Sequence, residues 1–475
     1  MELLILSVAF VWGVRIVLNI LTYAEVWWVK EYRWDRMLIH LHTPQGRRFW
    51  WPLRRRPPIT PKSTLLVFLS LMVSAWLVWS IRIPILFRFA IADALSFPMT
   101  WILVLLLNAP VKLYHTVLIA LAVRKLRSHK PMTVIGITGS FGKTSVKDYL
   151  ATILSAKFKV LKTEASKNSP IGIVEVIIKS LMPEHDVFVV EMGAYKIGEI
   201  ADMAAIVKPQ IGIVTAINLQ HQDLFGTLDN TMKAKYELIA GLTGKRIAIM
   251  NAADERVRTM AGWARRDGCD VWEGRIRTTD IKAGFDGISV TAHMGKEKAN
   301  VRARVVGKHQ STNIVLAMEA AVAAGMMLPE AALATSHIQP AAKVLEIVPG
   351  VNGSMFINDT FNNNPDAVKA ALDVLAWVKG RKYLVFQPMI ELGSYAAQSH
   401  ESVGEYAGRI CDEIVLTNRN YYEDFVRGVR KAREAIPVSV MSPEKAAEII
   451  RNTVGKGDAV LFKGKEADHV LRELD

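Results

Sequence analysis

The stretch VIGITGSFGKTSVKD, residues Val134–Asp148, places an apolar run, a glycine-rich turn and a helix-forming segment one after another. Its glycines let the backbone bend so that successive N–H groups point inward at an anion. Lys143 would reach the terminal phosphates, and the hydroxyl of Thr144 or Ser145 would join a magnesium shell. The strict P-loop pattern requires Gly at Ile137, so only the shorter TGSxGKT form is present, and an ordinary glycine turn is the alternative. The predicted nucleotide-binding residues of this loop are Gly139, Ser140, Gly142, Lys143, Thr144 and Ser145.

Composition divides the chain into an unusual N-terminal region and a more ordinary remainder. The 475 residues are 51% hydrophobic, which is enough for two or three domains with their own cores. Residues 1–130 contain 17 Lys and Arg against 5 Asp and Glu, and therefore most of the net charge of +14. They also contain nine of the twelve tryptophans, which favours a membrane region over a nucleic-acid-binding arm. With only Cys269 and Cys411, no disulfide framework is expected and a reducing compartment fits.

Three apolar runs in this region predict membrane-spanning helices. They cover Glu2–Leu21, about Ser63–Ser80 and about Pro98–Val123. The first run lacks the basic start and cleavage site of a signal peptide, so we expect it to be retained. Basic residues are frequent at 30–62 and at 124–130, which the positive-inside rule assigns to the cytoplasm. The prediction is a multi-pass protein of the cell inner (cytoplasmic) membrane, with its N-terminus outside and its catalytic domains in the cytoplasm.

Polar residues interrupt the first and the third of these apolar runs. Arg15 and Asn19 lie four residues apart on one helical face, and they either contact a polar group in a bundle or snorkel to an interface. We expect snorkelling. A break of the third helix is expected at 108–110, where Pro110 follows Asn108. Residues 83–97 are too short and too polar to be assigned as a span of their own.

After the glycine loop, apolar β-rich runs alternate with helical stretches. Val187–Val190, Ile211–Ile217 and Ile247–Met250 are predicted to be buried strands of a mostly parallel sheet with helices on both faces. Ligands collect at the carboxyl ends of such strands. For each polar residue found there, the alternative interpretation is that it only caps a helix or lies in a solvated turn. Those residues are Glu191, then Asn218 with His221, and then Asn251 with Asp254.

The order of several motifs resembles that of the Mur ligases, which build the peptide of cell-wall precursors. The motifs are TGSFGKTS, EMGAYKIGEI, NLQHQDLFGTLDNTMKAKYELI, NAAD and GKHQSTN, and the similarity is greatest to the D-alanyl-D-alanine-adding branch. The resemblance covers about residues 131–475. It implies an α/β chain with a central ATP-binding P-loop domain at 131–335 and a smaller, Rossmann-like α/β domain at 336–475. A transmembrane region of about three helices, 1–130, stands in place of the family's UDP-binding domain.

The resemblance also implies a magnesium site. Glu191 and His221 would help to bind the metal beside Thr144, and Lys235 would be the lysine that is carbamylated in much of the family. Carbon dioxide converts an ammonium into a carboxylate-like oxygen ligand, which Mg2+ prefers. A solvated helix lysine is the alternative for Lys235. The implied catalytic residues are Lys143, Glu191, His221 and Lys235.

Further motif matches imply nucleotide and substrate contacts. The GKHQSTN motif matches a helix start whose asparagine is associated with the adenine end of ATP, and FINDTFNNNP matches the DDSYNANP signature. The loop TEASKNSPIG resembles the family's substrate loop, and IELGSYAAQSH its ELG…H element. The implied nucleotide contacts are Asn251, His309, Asn313, Asp359 and Asn362. The implied substrate contacts are Ser166, Asn168, Asn364 and Glu391.

Departures from the family pattern leave the predicted nucleotide-binding residues mostly intact, but they affect the prediction of the acceptor amine. Asn358 replaces the first Asp of the signature, Phe361 replaces the Tyr, and Lys465 replaces the Ser of a KGS motif. Val344 falls where the family has an arginine, and Lys343 is its neighbour. These changes leave open which amine the protein uses.

The resulting hypothesis is an ATP-dependent amide (peptide) ligase. It would join an amino acid or dipeptide to a carboxylate of a cell-wall precursor through an acyl phosphate, with ATP and Mg2+. The expected partners are this precursor, for which a lipid link is a hypothesis, the amine and membrane lipid, but no nucleic acid. One alternative is a membrane-bound ligase of the poly-γ-glutamate synthase type. Another is a membrane-anchored ATPase or scaffold without ligase activity.

Overall fold

A computed structural model of the chain describes residues 1–42, 55–164, 167–218, 225–390 and 392–474. It contains two compact units, Met1–Ala120 and Leu121–Asp475. The first unit is helical, and the second contains two parallel-stranded sheets covered by helices. This mixed α/β architecture with apolar N-terminal helices confirms the predicted fold class. The divisions at 130 and 335 stay predictions.

The N-terminal unit is built from long apolar helices. Within the described ranges, three helices, α1, α3 and α4, have the length and composition needed to cross a membrane. Helix α4 is continuous over 44 residues, so the break expected at 108–110 is wrong. Prolines are tolerated in apolar helices because neighbouring groups satisfy the freed carbonyls. The helices are α1 Glu2–Val29, α2 Trp34–His42, α3 Pro61–Ser80 and α4 Ile85–Ser128.

A buried polar cluster lies inside the N-terminal unit. The carboxylate of Asp93, whose residue is 9% exposed, accepts hydrogen bonds from Arg15 Nε at 2.8 Å and Asn19 Nδ2 at 2.8 Å. Trp12 Nε1 donates to the same carboxylate at 3.2 Å. The expectation that Arg15 snorkels is therefore wrong, because its charge is compensated by a partner on α4.

The central sheet is parallel and has the strand order β2-β3-β1-β4-β5-β6. Its middle strands are fully buried, as their continuous apolar runs predict. The strand expected at Ile211–Ile217 ends at Val214, because the following backbone binds the glycine loop: Ser140 N donates to Ala216 O at 2.7 Å. The strands are β1 Thr133–Thr138, β2 Val160–Lys162, β3 Val187–Glu191, β4 Ile211–Val214, β5 Ile247–Met250 and β6 Asp270–Trp272. The helices are α5 Lys143–Leu154, α6 Pro170–Ser180, α7 Glu199–Val207, α8 Leu228–Ala240 and α9 Glu255–Arg266.

A small antiparallel sheet, which the sequence did not predict, follows the central strands. It has the order β7-β8-β9 and shares a hydrophobic core with α5 and the two helices after it. Its strands are β7 Arg277–Gly284, β8 Gly287–Met294 and β9 Glu297–Ala303, and the helices are α10 Gln310–Ala323 and α11 Leu328–Ala334.

The C-terminal sheet has the order β10-β11-β15-β12-β13-β14, in which only β10 is antiparallel to its neighbour. Helices α12, α13 and α14 pack on one face, and α15 and α16 on the other. Helix α12 begins at Pro365, as predicted, and the Asn364 side chain caps it by accepting from Ala367 N at 3.0 Å. The strands are β10 Glu346–Pro349, β11 Met355–Asp359, β12 Lys382–Phe386, β13 Glu413–Leu416, β14 Val438–Val440 and β15 Ala459–Lys463. The helices are α12 Pro365–Leu375, α13 Ala396–Ile410, α14 Tyr422–Ala432, α15 Pro443–Thr453 and α16 Lys465–Arg472.

Candidate active site

The glycine loop joins β1 to α5 with two residues in the left-handed region. Gly139 has φ +146° and Gly142 has φ +81°. A Cβ on Gly139 would lie 2.1 Å from Thr215 Oγ1, and one on Gly142 would lie 2.9 Å from Asn313 Oδ1. Neither position therefore has room for a side chain. Because α5 begins at Lys143, its free N–H groups face the loop, as in phosphate-binding helix starts.

Lys143 folds back over this loop. Its Nζ donates to Gly139 O at 2.8 Å and to Ser140 O at 3.2 Å. Burial lowers the pKa of Lys143, and the negative charge of Glu191 opposes that effect. Ser145 is buried in the first turn of α5. The loop thus offers one cation and a helix start to an anionic ligand.

Glu191, at the end of β3, is the buried carboxylate of the site. It is 3% exposed and accepts three side-chain hydrogen bonds. Thr144 Oγ1 and Lys147 Nζ lie 3.0 and 3.4 Å from Oε2, and Asn168 Nδ2 lies 3.0 Å from Oε1. Sequence reasoning missed Lys147, although it lies one helical turn after Lys143 and is 1% exposed. The carboxylate is therefore fixed beside the glycine loop from three directions.

Lys235, on α8, is buried rather than solvated. It is 3% exposed, and burial and the positive charge of Lys143 lower its pKa to about 7. Its Nζ lies 5.5 Å from the centroid of the Phe225 ring. Within the described ranges, no carboxylate oxygen lies within 4 Å of this nitrogen. Near neutral pH, a substantial fraction of Lys235 is thus a neutral amine.

Five predicted site residues, Gly139, Ser140, Lys143, Asn168 and Lys235, line one small cavity of about 50 Å3. It brings together residues from the glycine loop, from the segment before α6, from the turn after β3 and from α8. Tyr195, Phe225 and Thr231 also line it, and the sequence analysis assigned them no role. The lining residues are Gly139, Ser140, Lys143, Asn168, Gly193, Ala194, Tyr195, Phe225, Thr231 and Lys235.

Three predicted site residues, Ser166, His221 and Glu391, lie outside the described residues. In the part of the chain that the structure describes, no cluster of three or more His, Cys, Asp or Glu side chains is suited to a metal. Two oxygen donors are nevertheless adjacent, since Thr144 Oγ1 and Glu191 Oε2 are 3.0 Å apart. Hydroxyl and carboxylate oxygens are the donor types that magnesium prefers.

The predicted nucleotide contacts occupy different positions around the loop. Asn313 lies against Gly142, and its Nδ2 donates to Gln310 Oε1 at 2.8 Å. Asn251 lies behind the loop and donates from Nδ2 to Thr215 O at 2.6 Å. Burial lowers the pKa of His309, the residue before α10, and the charge of Asp359 opposes that shift.

Asp359 already has a partner within its own sheet. Its Oδ2 lies 2.5 Å from Nζ of Lys463, a fully buried lysine that the sequence analysis did not single out. Leu345 N donates to Oδ1 at 3.3 Å. Asn362 is half-buried, and its side chain makes no hydrogen bond with the described residues. The loop after β11 is thus held by an ion pair, and Asn362 remains available to a ligand.

The loop after β11 contacts the glycine-loop region of the central sheet. Asn218 Nδ2 donates to Asn364 Oδ1 at 3.2 Å and to Asp366 Oδ2 at 3.0 Å. Asn218 N in turn donates to Ser140 Oγ at 3.1 Å. Asn364 is 1% exposed, and its Nδ2 has no hydrogen-bond partner among the residues that the structure describes. The two sheets therefore meet at the carboxyl ends of their strands, where both parts of the nucleotide prediction lie.

Comparison with known proteins agrees with this arrangement. Residues 137–321 match the Mur ligase middle domain, and residues 345–466 match the domain described as "Mur ligase, glutamate ligase domain". The UDP-N-acetylmuramoyl-tripeptide--D-alanyl-D-alanine ligase of Mycobacterium tuberculosis (strain ATCC 25618 / H37Rv) is 29% identical over 366 residues, which are 71% of each chain. The Escherichia coli (strain K12) enzyme of that name is 30% identical over 290 residues, 59% of this chain and 63% of its own. A crystal structure of MurF from Acinetobacter baumannii superposes with a TM-score of 0.70 and 25% identity, covering 76% of this chain and 80% of that one.

Proposed function

The chain belongs to the Mur ligase family of ATP-dependent ligases, and we propose that it joins an amino acid or dipeptide to a carboxylate of a cell-wall precursor. The observation that carries this proposal is the buried Glu191, fixed by Thr144, Lys147 and Asn168 beside a phosphate-type loop. The relatives named as UDP-N-acetylmuramoyl-tripeptide--D-alanyl-D-alanine ligases support a dipeptide as the amine.

The proposed reaction has two steps. A carboxylate oxygen of the precursor attacks the γ-phosphorus of ATP, the bond to the ADP oxygen breaks, and an acyl phosphate forms. The neutral amine then attacks the acyl carbon, phosphate leaves with the electron pair of the C–O bond, and the nitrogen loses a proton to give the amide. Lys143 and the N–H groups at the start of α5 stabilise the charge on the transferring phosphoryl group.

A magnesium ion fits the oxygen donors of the site. Thr144 and Glu191 would hold it, and His221, outside the described residues, completes the predicted set with Lys235. The ion would neutralise charge on the ATP phosphates when bound. Lys147 compensates the charge of Glu191 and holds its carboxylate, and Asn168 orients the second oxygen.

Carbamylation of Lys235 follows from its environment as a further part of the proposal. A pKa of about 7 leaves the amine largely neutral at mildly alkaline pH, and only the neutral nitrogen attacks carbon dioxide. The new N–C bond yields a carbamate, and the nitrogen releases a proton. The product places an anionic oxygen ligand, in place of an amine, near the positive charge of Lys143.

We further propose that the protein resides in the inner membrane, with its ligase domains in the cytoplasm and a lipid-linked precursor as the acyl substrate. The support is the presence of three apolar helices long enough to span a membrane, in a chain whose family match begins only at residue 137. The basic residues 124–130 at the end of α4 favour a cytoplasmic location for this end.

Amine-dependent ADP release by the full-length protein in detergent tests the ligase reaction. We expect release to require both a precursor and an amine such as D-alanyl-D-alanine, and to fall at least a hundredfold in Lys143→Ala and Lys235→Ala. Lys233→Ala, an exposed lysine on the same helix, is the matched control. Equal turnover in all variants would contradict the mechanism. Stimulation by glutamate alone with a polymeric product would favour a poly-γ-glutamate synthase, and amine-independent hydrolysis a non-ligase ATPase.

Competition between precursors tests the lipid link separately. The same detergent-solubilised protein receives UDP-linked and polyprenyl-pyrophosphate-linked muropeptides with identical peptides. We expect the lipid-linked form to have the higher kcat/KM. An equal or higher kcat/KM for the UDP-linked form would refute the lipid-linked substrate and leave the ligase reaction intact.

A further inference from the structure

The small antiparallel sheet β7-β8-β9 has one buried face and one face in solvent. Ile288, Val290 and Ala292 of β8 belong to a hydrophobic core, as do Val301 and Ala303 of β9. Since side chains alternate between the two faces of a sheet, the residues between these point outward. The outer face has no part in the phosphate loop or in the motifs of the sequence, so its side chains have no role assigned so far.

Cations of β7 and β9 lie opposite one another across this outer face. Ser289 of β8 pairs with Lys282 on one side and with Arg302 on the other, and His293 pairs in the same way with two further cations. Neighbouring strands are about 5 Å apart, so the cations of a row begin about 10 Å apart and their long side chains can converge on one anion. All four cations are exposed. This basic face consists of Arg277, Lys282, Lys298 and Arg302.

The charge of the basic face is not balanced by nearby acids. Residues 275–304 contain seven Lys and Arg against three Asp and Glu, whereas the other residues of 131–475 contain 35 against 37. Among the described residues, no carboxylate oxygen lies within 4 Å of a side-chain nitrogen of the basic face. Elsewhere in the same unit, Lys157 and Arg427 each have a carboxylate partner. Like charges gathered in a sheet repel one another, so an anion from outside the chain would stabilise this face.

A cavity of about 570 Å3 lies beside the row that contains Lys282 and Arg302. These two cations line it with Arg304, two serines and one acid, Asp286, from the turn between β7 and β8. Guanidinium, ammonium and hydroxyl groups are all donors to phosphate oxygens. The cavity therefore suits a phosphate group, whose charge the three cations would compensate.

A β-bulge exposes an apolar side chain next to these cations. The pairing of β7 with β8 shifts between Thr279 and Lys282, where Asp280 has a φ of +53°. Ile281, inside this bulge, is 38% exposed. Asp280 is itself exposed, and it accepts a hydrogen bond from Thr279 Oγ1 at 3.1 Å. An exposed apolar residue among Lys and Arg is typical of a surface that binds anionic lipid, since both apolar burial and charge favour that interface.

We propose that the basic face docks on the phosphate head groups of an anionic membrane surface; the choice of a membrane as the partner rests on the location proposed above. Helix α4 ends at Ser128 and β1 begins at Thr133, so only four residues connect the two. A short connection to a membrane-spanning helix gives the face a high effective concentration of lipid. The attraction of a few cations to anionic lipid is then sufficient for docking. A nucleic acid would also attract these cations, but it has no such connection to the chain.

Lysine labelling of the full-length protein in lipid nanodiscs tests the docking. Lys282 and Lys298 report on the basic face, and the exposed Lys379 and Lys445 are internal references. Acetylation by an uncharged ester is followed by mass spectrometry in discs of phosphatidylcholine and in discs that also contain phosphatidylglycerol. Relative to the references, we expect the reporters to react at least about fivefold more slowly in the anionic discs, the factor that one cation near such a surface contributes. In about 1 M salt, which screens charge beyond about 3 Å, this protection should disappear.

A double charge reversal identifies the cations responsible. Arg277→Glu/Arg302→Glu leaves both reporter lysines in place and should abolish the protection. The matched control, Arg258→Glu/Arg266→Glu, makes the same change of charge at exposed positions of α9 and should retain it. Both variants should release ADP in detergent at the wild-type rate, because none of these arginines lines the active-site cavity.

Three labelling results would overturn the proposal: equal reaction of the reporters in the two kinds of disc, protection that survives Arg277→Glu/Arg302→Glu, or equal loss of protection in the control variant. RNA binding that this charge reversal abolishes, without any lipid-dependent protection, would also overturn it and assign the face to a polyanion in solution.

Flotation with liposomes separates this inference from the proposed membrane location. If the wild type floats with phosphatidylcholine liposomes but its reporters are not protected by anionic lipid, the location stands and the docking fails. If it does not float with phosphatidylcholine liposomes, the location fails. Flotation with phosphatidylglycerol liposomes that Arg277→Glu/Arg302→Glu abolishes would then still support the basic face, and its absence would refute it.

Discussion

Replacing Lys147 by methionine would remove the buried positive charge that compensates Glu191. Both side chains are almost fully buried, and Lys147 Nζ lies 3.4 Å from Glu191 Oε2. Methionine retains most of the volume of the lysine stem, so the substitution removes a charge rather than opening a large cavity. The carboxylate would lose the cation that is hydrogen-bonded to it.

The expected loss of stability follows from this distance. At an effective dielectric constant of about 20, two unit charges 3.4 Å apart attract by about 5 kcal/mol. Measured losses for breaking a buried pair are about 3–5 kcal/mol. Thr144 and Asn168 keep their hydrogen bonds to the carboxylate, so we expect the lower value, about 3 kcal/mol. At about 2 °C for each kcal/mol, the midpoint of thermal unfolding should fall by roughly 6 °C.

Thermal unfolding of the full-length protein in detergent, with ADP release measured in parallel, checks this value. Lys157→Met is the matched control, because Lys157 and Glu330 form a solvent-accessible pair at 3.0 Å, which water screens far more than the buried pair. The double variant Lys147→Met/Glu191→Gln should recover part of the stability, since no buried charge is then uncompensated, but it should not recover activity. A shift in Lys147→Met no larger than that of Lys157→Met would refute the reasoning.

Three further predictions concern other parts of the molecule. The pKa of Lys235 is about 7 in the folded protein and about 10.4 in an unfolded chain. The unfolding free energy should therefore fall as the pH drops from about 10.4 to about 7, because the unfolded chain binds the proton more tightly. In carbon dioxide-free buffer, Lys235→Met should remove this pH dependence, and the control Lys233→Met should retain it. Gly139→Ala should weaken ATP binding at least tenfold by calorimetry, because its Cβ would lie 2.1 Å from a hydroxyl oxygen, and unchanged affinity would contradict this. Asp93→Leu should lower the unfolding midpoint in detergent by removing the carboxylate that Arg15 Nε binds, whereas Arg15→Met/Asp93→Leu should recover part of the loss; an equal midpoint in both variants would argue against the ion pair.

The elements of the ligase unit were predictable where local pattern and burial coincide. The apolar runs at β3 and β5 gave correct strands, because the middle strands of a parallel sheet are buried on both faces.

The first half of α4, in the N-terminal unit, was not assigned to a span, since Arg88 and Asp93 lower its hydropathy. Asp93 is compensated by Arg15, which is 78 residues away in sequence. Pairing between distant residues is not contained in a window of hydropathy.

At the candidate active site, too, local sequence spacing predicts some residues, whereas the contacts between distant residues could not be predicted. Gly139 and Lys143 follow from the spacing within one loop. The pairing of Lys147 with Glu191, and the burial that lowers the pKa of Lys235, depend on how α5, β3 and α8 pack together. Sequence spacing therefore predicts the phosphate loop well, and the charge environment around it poorly.

Helix α6 connects this charge environment to the last turns of α4. It begins at Pro170, two residues after Asn168, which binds Glu191, and its 11 residues span about 16 Å. At its other end, Lys125 Nζ donates to Ile178 O at 2.8 Å, and His129 Nε2 lies 2.9 Å from Met182 O in the following turn. The basic end of α4 therefore replaces solvent at the C-terminus of α6, where a cation is favoured. Helix α6 therefore lies between Asn168, which precedes its start, and the contacts that Lys125 and His129 make at its end. The last turns of α4, from Leu121 onward, thus belong to the same compact unit as the predicted catalytic residues.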